Sequence, residues 1–162
     1  MTRPSVDPGD LIEYVLAHST PPDEVQRALV TATEEVAGDA SVMRIGHDQA
    51  VFMALLTAAI APRLAVEVGT FTGYSALAIA KALPEGARLL CCDVSEEWTA
   101  VARSHWERAG VAHRIDLRIG PAIDTLRALP GGHEVDLAFI DADKTGYQDY
   151  YDELLPRLSD RG

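Results

Sequence analysis

Only two cysteines occur among the 162 residues, and they are neighbours, Cys91 and Cys92. Successive residues of a strand point to opposite faces, so these two are not expected to pair with each other. That leaves a pair of buried small side chains in a reducing compartment rather than a disulfide scaffold. Aromatic residues are scarce at 6%, so Ala, Leu and Val carry most of an apolar content of 48%. No window approaches the ~18 uncharged apolar residues of a membrane span, and the opening MTRPSVDPGD has no apolar signal-peptide core. Basic residues are outnumbered, 14 against 25 acids, for a net charge of -11. No basic stripe reverses this locally, and so acidic a surface repels phosphate backbones. The expectation is a soluble, cytoplasmic single domain, large enough for a real core, with neither nucleic acid nor membrane as partner.

There is no internal repeat and no low-complexity tract. Leu11, Ile12, Val15 and Leu16 recur at helical spacing. Pro22 and Asp23 open a second helix running to about Gly38, residues 38–47 read as a loop, and Ala50, Phe52, Met53, Leu55, Leu56 and Ile60 mark a third helix. From Arg63 the texture changes to alternating strand and helix: strands over 64–68, 88–94, 115–119 and 135–140, helices over 75–83, 96–109, 122–129 and 147–158. Four such units imply a parallel sheet with helices on both faces, a Rossmann-like doubly wound α/β fold. The division expected is a helical segment over 1–62, packed on a core over 63–162 within one domain. Ligands of such sheets bind beyond the C-terminal ends of the strands, so the residues after each strand carry the functional information.

The first strand ends in Glu67-Val68-Gly69-Thr70-Phe71-Thr72-Gly73-Tyr74-Ser75. Glycines there permit a sharp turn and close approach of a ligand, although turn chemistry alone also explains them. A dinucleotide loop requires G-x-G-x-x-G, whose middle glycine admits a pyrophosphate. Phe71 stands at that middle position, which favours a nucleoside ligand without phosphates over NAD. Asp93, at the end of the second strand, is placed to accept both hydroxyls of a ribose; it also reads as an N-terminal cap for the next helix. After the third strand, Gly120-Pro121-Ala122 leaves room for a flat base. After the fourth comes Asp141-Ala142-Asp143-Lys144. Its acids are potential oxygen ligands for a divalent cation, and Lys144 is a potential general base if its pKa is depressed. A salt-bridged loop opening a helix is the alternative.

Three of these stretches together resemble the cation-dependent O-methyltransferases of the catechol and caffeoyl-CoA type, class I enzymes that use S-adenosyl-L-methionine. The first loop resembles their first motif, Cys92-Asp93-Val94-Ser95-Glu96-Glu97-Trp98 their second, and Phe139 to Lys144 with Tyr147, Tyr150 and Tyr151 their metal-and-base motif. The resemblance implies that Glu67 holds the cofactor's amino group and that Gly69, Thr70 and Ser75 line the same cavity. Asp93 takes the ribose, Ala122 sits at the adenine, Ile45 closes over the cofactor, and Asp143 contacts it. It further implies Asp141 as a ligand for a divalent cation, magnesium above all, and Lys144 as the base beside a phenolic, catechol-like acceptor. Chelation of two neighbouring oxygens would lower the acceptor's pKa and align it with the methyl.

Ala50 stands where the family has glycine, and Gly146 where asparagine is common. In the family a fifth strand carries an Asp-Asn pair that completes the metal site, whereas this sequence ends at Ser159-Asp160-Arg161-Gly162. The expectation is therefore a fragment that lacks the last strands and holds a cation weakly. Two competing readings are a cofactor-binding but catalytically silent module and half of a nicotinamide-dependent oxidoreductase. A homodimer is expected from the apolar N-terminal helices and an unpaired sheet edge.

Overall fold

The computed structural model describes residues 8–132 and 134–162. Three helices come first: α1 (Pro8–His18), α2 (Glu24–Ala37) and α3 (His47–Ile60). Asp23 starts α2 with a reciprocal cap: its carboxylate accepts from the Gln26 amide at 2.9 Å, and the Gln26 side chain accepts from the Asp23 amide at 3.0 Å. The stretch expected as a loop after α2 is instead largely a 3-10 turn, Gly38–Met43. None of its residues is buried: Gly38 to Ser41 are small or polar, and the apolar Val42 and Met43 stay exposed.

Strands β1 (Leu64–Val68), β2 (Arg88–Asp93), β3 (Ile115–Ile119) and β4 (Leu137–Ile140) alternate with α4 (Tyr74–Ala82), α5 (Glu96–Arg108), α6 (Ala122–Arg127) and α7 (Tyr147–Leu154). All pairings are parallel in the order β3-β2-β1-β4. The strand expected over 135–140 begins two residues later. Val135 instead forms a lone bridge with Leu158. The last helix stops at Leu154, because Pro156 has no amide for a helical bond and the chain tightens into a 3-10 turn, Leu155–Arg157.

Side-chain alternation splits the core in two. Ala65, Leu89 and Cys91 face a layer built on Leu29, Met53, Leu77, Ile79 and Trp106. Val66, Val68, Leu90 and Cys92 face the opposite layer, with Leu126, Val135 and Leu154. Both cysteines are buried and free, one on each face of β2. Fully buried leucines such as Leu29 and Leu77 each contribute about 1.5–3 kcal/mol. Among the described residues no helix is long and apolar enough to cross a membrane.

The N-terminal edge of the sheet is tied by Asp136, which is 1% exposed. Its carboxylate accepts from the Arg63 amide at 2.8 Å, from Arg63 Nε at 3.1 Å and Nη2 at 3.2 Å, and from the Ser159 hydroxyl. The Arg63 guanidinium is the main reason its pKa lies well below the usual carboxylate range.

Candidate active site

The C-terminal ends of the four strands converge on one cavity of about 680 Å³, within the size range of small-molecule and cofactor sites. Ile45, Gly69, Thr70, Ser75, Asp93, Ala122, Asp141, Asp143 and Lys144 all line it. Residues spread over a hundred positions of sequence thus meet at one opening, as the strand-end rule requires. Glu67 is the exception and lies behind the wall.

The loop after β1 owes its shape to packing as much as to any ligand. At Gly69 (φ 90°) a Cβ would meet the Asp141 carbonyl oxygen at 2.2 Å, so the glycine admits the backbone leaving β4. At Gly73 (φ 80°) a Cβ would meet the Ala102 side chain at 2.6 Å and the Trp106 ring at 2.7 Å. Phe71 itself adopts a left-handed backbone, φ 53°, which is uncommon for a bulky residue and fits a tightly determined loop. Asp93 supplies the determination. Its Oδ2 accepts from the amides of Thr70 (2.9 Å) and Phe71 (2.7 Å), and its Oδ1 accepts from the Ser95 amide (2.8 Å). Ser95 rather than Asp93 caps α5, accepting from the Trp98 amide at 3.2 Å. Asp93 therefore holds the glycine loop to the end of β2; its three amide donors take three of about four acceptor sites, and Oδ1 keeps the remaining one for a further donor.

Glu67 is fully buried. Burial is the main reason its pKa is pushed up to about 7; the hydroxyls of Ser75 and Thr70 and the thiol of Cys91 partly offset this, and the Asp93 charge adds to it. Oε2 accepts from Cys91 Sγ at 3.4 Å, whereas Oε1 has no hydrogen-bond partner. An unpartnered buried carboxylate oxygen costs free energy that folding alone does not return. Ser75 and Thr70 lie against this carboxylate and also line the cavity, so Glu67 sits one side chain behind the wall.

In the segment after β4 the chain's own groups do not depress the pKa of Lys144, which leaves that task in the base reading to a bound metal. Lys144 is 77% exposed, its Nζ donates to Tyr147 Oη at 2.6 Å, and it lies 3.7 Å from Asp141 Oδ1. The hydrogen bond to Tyr147 and then the charge of Asp141 raise its pKa, so its resting state is the ammonium. Desolvation favours the neutral form, but with the side chain largely in water it is outweighed by these contacts. Asp143 is already engaged: Oδ2 accepts from Thr145 Oγ1 and the Gly146 amide, both at 2.8 Å, and Oδ1 from Tyr150 Oη at 2.7 Å. The Tyr150 bond leads the effects that hold Asp143 low, and it raises Tyr150 to about 12. Asp143 thus shapes the start of α7 as well as the rim.

Several lining residues were not singled out from sequence. Trp98 packs edge-on against Phe71, ring centroids 4.8 Å apart, beside Val94. Arg44 lies over the Tyr74 ring at 4.9 Å and donates to the Ile45 carbonyl at 2.7 Å, which fixes the strap carrying Ile45. The signal for Trp98 is its place in the first turn of α5, three residues after the cap Ser95 and close behind Asp93. Arg44 and Tyr74 carry no comparable signal, because their meeting depends on how α3 packs on α4.

The arrangement fits a nucleoside with a cationic amino-acid end: acids at two strand ends, a small-residue slot at Ala122, and a buried carboxylate lacking one partner. It does not by itself make a cation cage. Among the described residues no three His, Cys, Asp or Glu side chains are grouped to hold a metal, and the charge nearest Asp141 is an ammonium.

The O-methyltransferase family model matches residues 17–162. Probable caffeoyl-CoA O-methyltransferase 2 of Dictyostelium discoideum is 38% identical over 157 residues, covering 95% of this chain and 67% of that protein. Catechol O-methyltransferase domain-containing protein 1 of Mus musculus is 39% identical over 155 residues, covering 94% of this chain and 58% of its own length. The chain thus spans about two thirds of the first protein and less than two thirds of the second. Among solved structures, the Streptomyces achromogenes O-methyltransferase TomG, involved in tomaymycin synthesis and in complex with SAM, superposes with a TM-score of 0.83 at 30% identity, covering 93% of this chain and 67% of that one. The O-methyltransferase of Bacillus cereus in complex with SAH gives 0.81 at 29%, covering 93% and 68%. On this match and this fold, the chain belongs to the O-methyltransferase family.

Proposed function

We propose that the chain binds S-adenosyl-L-methionine in this cavity and serves methyl transfer to a hydroxyl of a small phenolic acceptor. The observation that carries the reading is Glu67, a buried carboxylate with one oxygen unpartnered directly behind the loop that follows β1. A ligand with an ammonium group supplies what that oxygen lacks. A pyrophosphate at the loop after β1 would instead have the Glu67 carboxylate behind it and no middle glycine at Phe71 to admit it. Asp93, a ribose acceptor for either ligand, does not discriminate. In this reading Asp93 receives the ribose hydroxyls. Ala122, Val94 and Trp98 frame the adenine, and Thr70 and Ser75 guide the amino-acid end toward Glu67. Ile45, held by Arg44, covers the cofactor.

The cofactor supplies an activated methyl on a sulfonium, so the chain's own contribution is alignment and charge. Lys144, protonated at Nζ and held by Tyr147, stands where it can stabilise a phenolate; it accepts the acceptor's proton only after losing its own. A vicinal dihydroxy acceptor with a divalent cation is the finer form of the proposal, and Asp141 is the carboxylate this chain offers for it. One carboxylate facing an ammonium is a poor magnesium site, so cofactor binding by the chain is expected to be independent of magnesium. We also propose a cytoplasmic homodimer, the dimer supported by exposed Leu11, Ile12 and Phe52 on α1 and α3. Sedimentation as a monomer at all concentrations would count against the dimer.

Titration calorimetry with S-adenosylhomocysteine and with NAD tests the main reading. The first should bind with or without magnesium and the second should not; binding of NAD in preference would overturn it. A methyl-transfer assay with catechol then separates an active enzyme from a cofactor-binding but silent module.

A further inference from the structure

Glu67 and Cys91 are register partners on the parallel strands β1 and β2. Their side chains therefore leave the same face of the sheet side by side. That face otherwise carries Ala65 and Leu89 against the apolar layer of Leu77 and Ile79. A carboxylate emerging there has few polar neighbours, and the Cys91 thiol is one of them: Sγ lies 3.4 Å from Oε2. Oε1 has none. The two oxygens of one buried carboxylate are thus made unequal by a neighbouring strand.

Resting on the reading of the cavity as the S-adenosyl cofactor's site, we propose that Cys91 is a positioning residue for cofactor capture. Its thiol occupies Oε2 of Glu67 and thereby leaves Oε1 as the oxygen that receives the cofactor's ammonium. A thiol suits the task because it is a weak donor and only slightly polar. It biases the rotamer of the carboxylate without competing strongly with the ligand's charged donor. Burial and the adjacent Glu67 charge keep the sulfur protonated, so toward the carboxylate it is the donor. An alanine at this place would remove the thiol donor from Oε2 and leave the orientation of the carboxylate to the hydroxyls of Ser75 and Thr70.

The alternative is that Cys91 merely fills space in the core. Two ligands separate the cases: S-adenosylhomocysteine, which carries the amino-acid end, and methylthioadenosine, which has the same nucleoside and sulfur but no ammonium. Calorimetry on the full chain should show Cys91→Ala weakening S-adenosylhomocysteine on the order of 5–10-fold, the scale of one modest hydrogen bond, with methylthioadenosine unchanged. Cys91→Ser, which restores a donor, should recover most of the loss. Cys91→Val lacks the donor but keeps an apolar, strand-compatible side chain, and it carries the test if the alanine variant does not fold. Equal weakening of both ligands, or of neither, would overturn the proposal while leaving the cofactor reading intact. Failure of the unaltered chain to bind either ligand would overturn the cofactor reading, and this inference with it.

Discussion

Two carboxylates are buried in the same sheet, and they have opposite fates. Asp136, before β4, is saturated by the Arg63 amide and guanidinium and by the Ser159 hydroxyl, and its pKa is driven down. Glu67, near the other end of the neighbouring strand, has one weak donor on one oxygen and none on the other, and its pKa is driven up to about 7. The first is arranged for the folded chain alone. The second is left incomplete at the end of the sheet where ligands bind. Burial of a charge therefore says little about function; whether its hydrogen bonds are closed within the chain says much.

The largest effect expected from breaking this contrast is at Asp136. Asp136→Ala leaves the Arg63 amide and the Ser159 hydroxyl without their charged acceptor, at a cost of about 3 kcal/mol, while the Arg63 guanidinium, 68% exposed, is taken up by water. Thermal melting should fall by roughly 6–12 °C, while the ratio of affinities for S-adenosylhomocysteine and methylthioadenosine stays as it was. Next is Asp93→Ala, which removes the anchor of the Thr70 and Phe71 amides and the proposed ribose acceptor. Both nucleoside ligands should weaken together by the loss of charge-assisted bonds, on the order of 1.5–3 kcal/mol each. An unchanged affinity would remove Asp93 from that role.

A smaller effect, of opposite sign for the two carboxylates, is expected with pH. Asp136 has a lowered pKa, so its stabilisation is fully present above the unfolded value near 3.8 and is lost as pH falls through the folded one. Glu67 has a raised pKa, so its cost is absent below about 4.5, grows as pH rises to about 7, and is constant above that. Denaturant titrations from pH 5 to 8 should show stability declining on the order of 1–2 kcal/mol from this group, and Glu67→Gln should flatten that part of the profile. A slope that survives in the glutamine variant would assign it to another group.

The strand-helix alternation is legible because β1, β2 and β4 are short apolar runs, β3 alternates polar and apolar residues, and turn residues such as Gly69, Gly86 and Gly120 break the chain beside three of them. The cavity was legible because the doubly wound topology fixes where strand ends go. The 3-10 turn at Gly38–Met43 was not, since Gly38-Asp39-Ala40-Ser41 carries no periodicity to read. Asp93 was assigned to the ribose or to a helix cap, yet its three amide partners tie the first loop to the second strand, a tertiary relation absent from local spacing. Lys144 was read as a base through its neighbours in sequence. Its exposure and its bond to Tyr147, one helical turn on, decide its charge. Glu67 was the reverse case: resemblance put it at the cofactor, and only the fold shows it behind Thr70 and Ser75 with an oxygen to spare.

The most direct test of that spare oxygen is the preference of the chain for S-adenosylhomocysteine over methylthioadenosine, measured by calorimetry near pH 8 before and after Glu67→Gln. The account predicts a preference of at least ~10-fold in the unaltered chain, the scale of one charge-assisted bond, and its collapse toward equality in the glutamine variant with methylthioadenosine binding retained. Equal affinity for the two ligands in the unaltered chain, or an undiminished preference in Glu67→Gln, would contradict it.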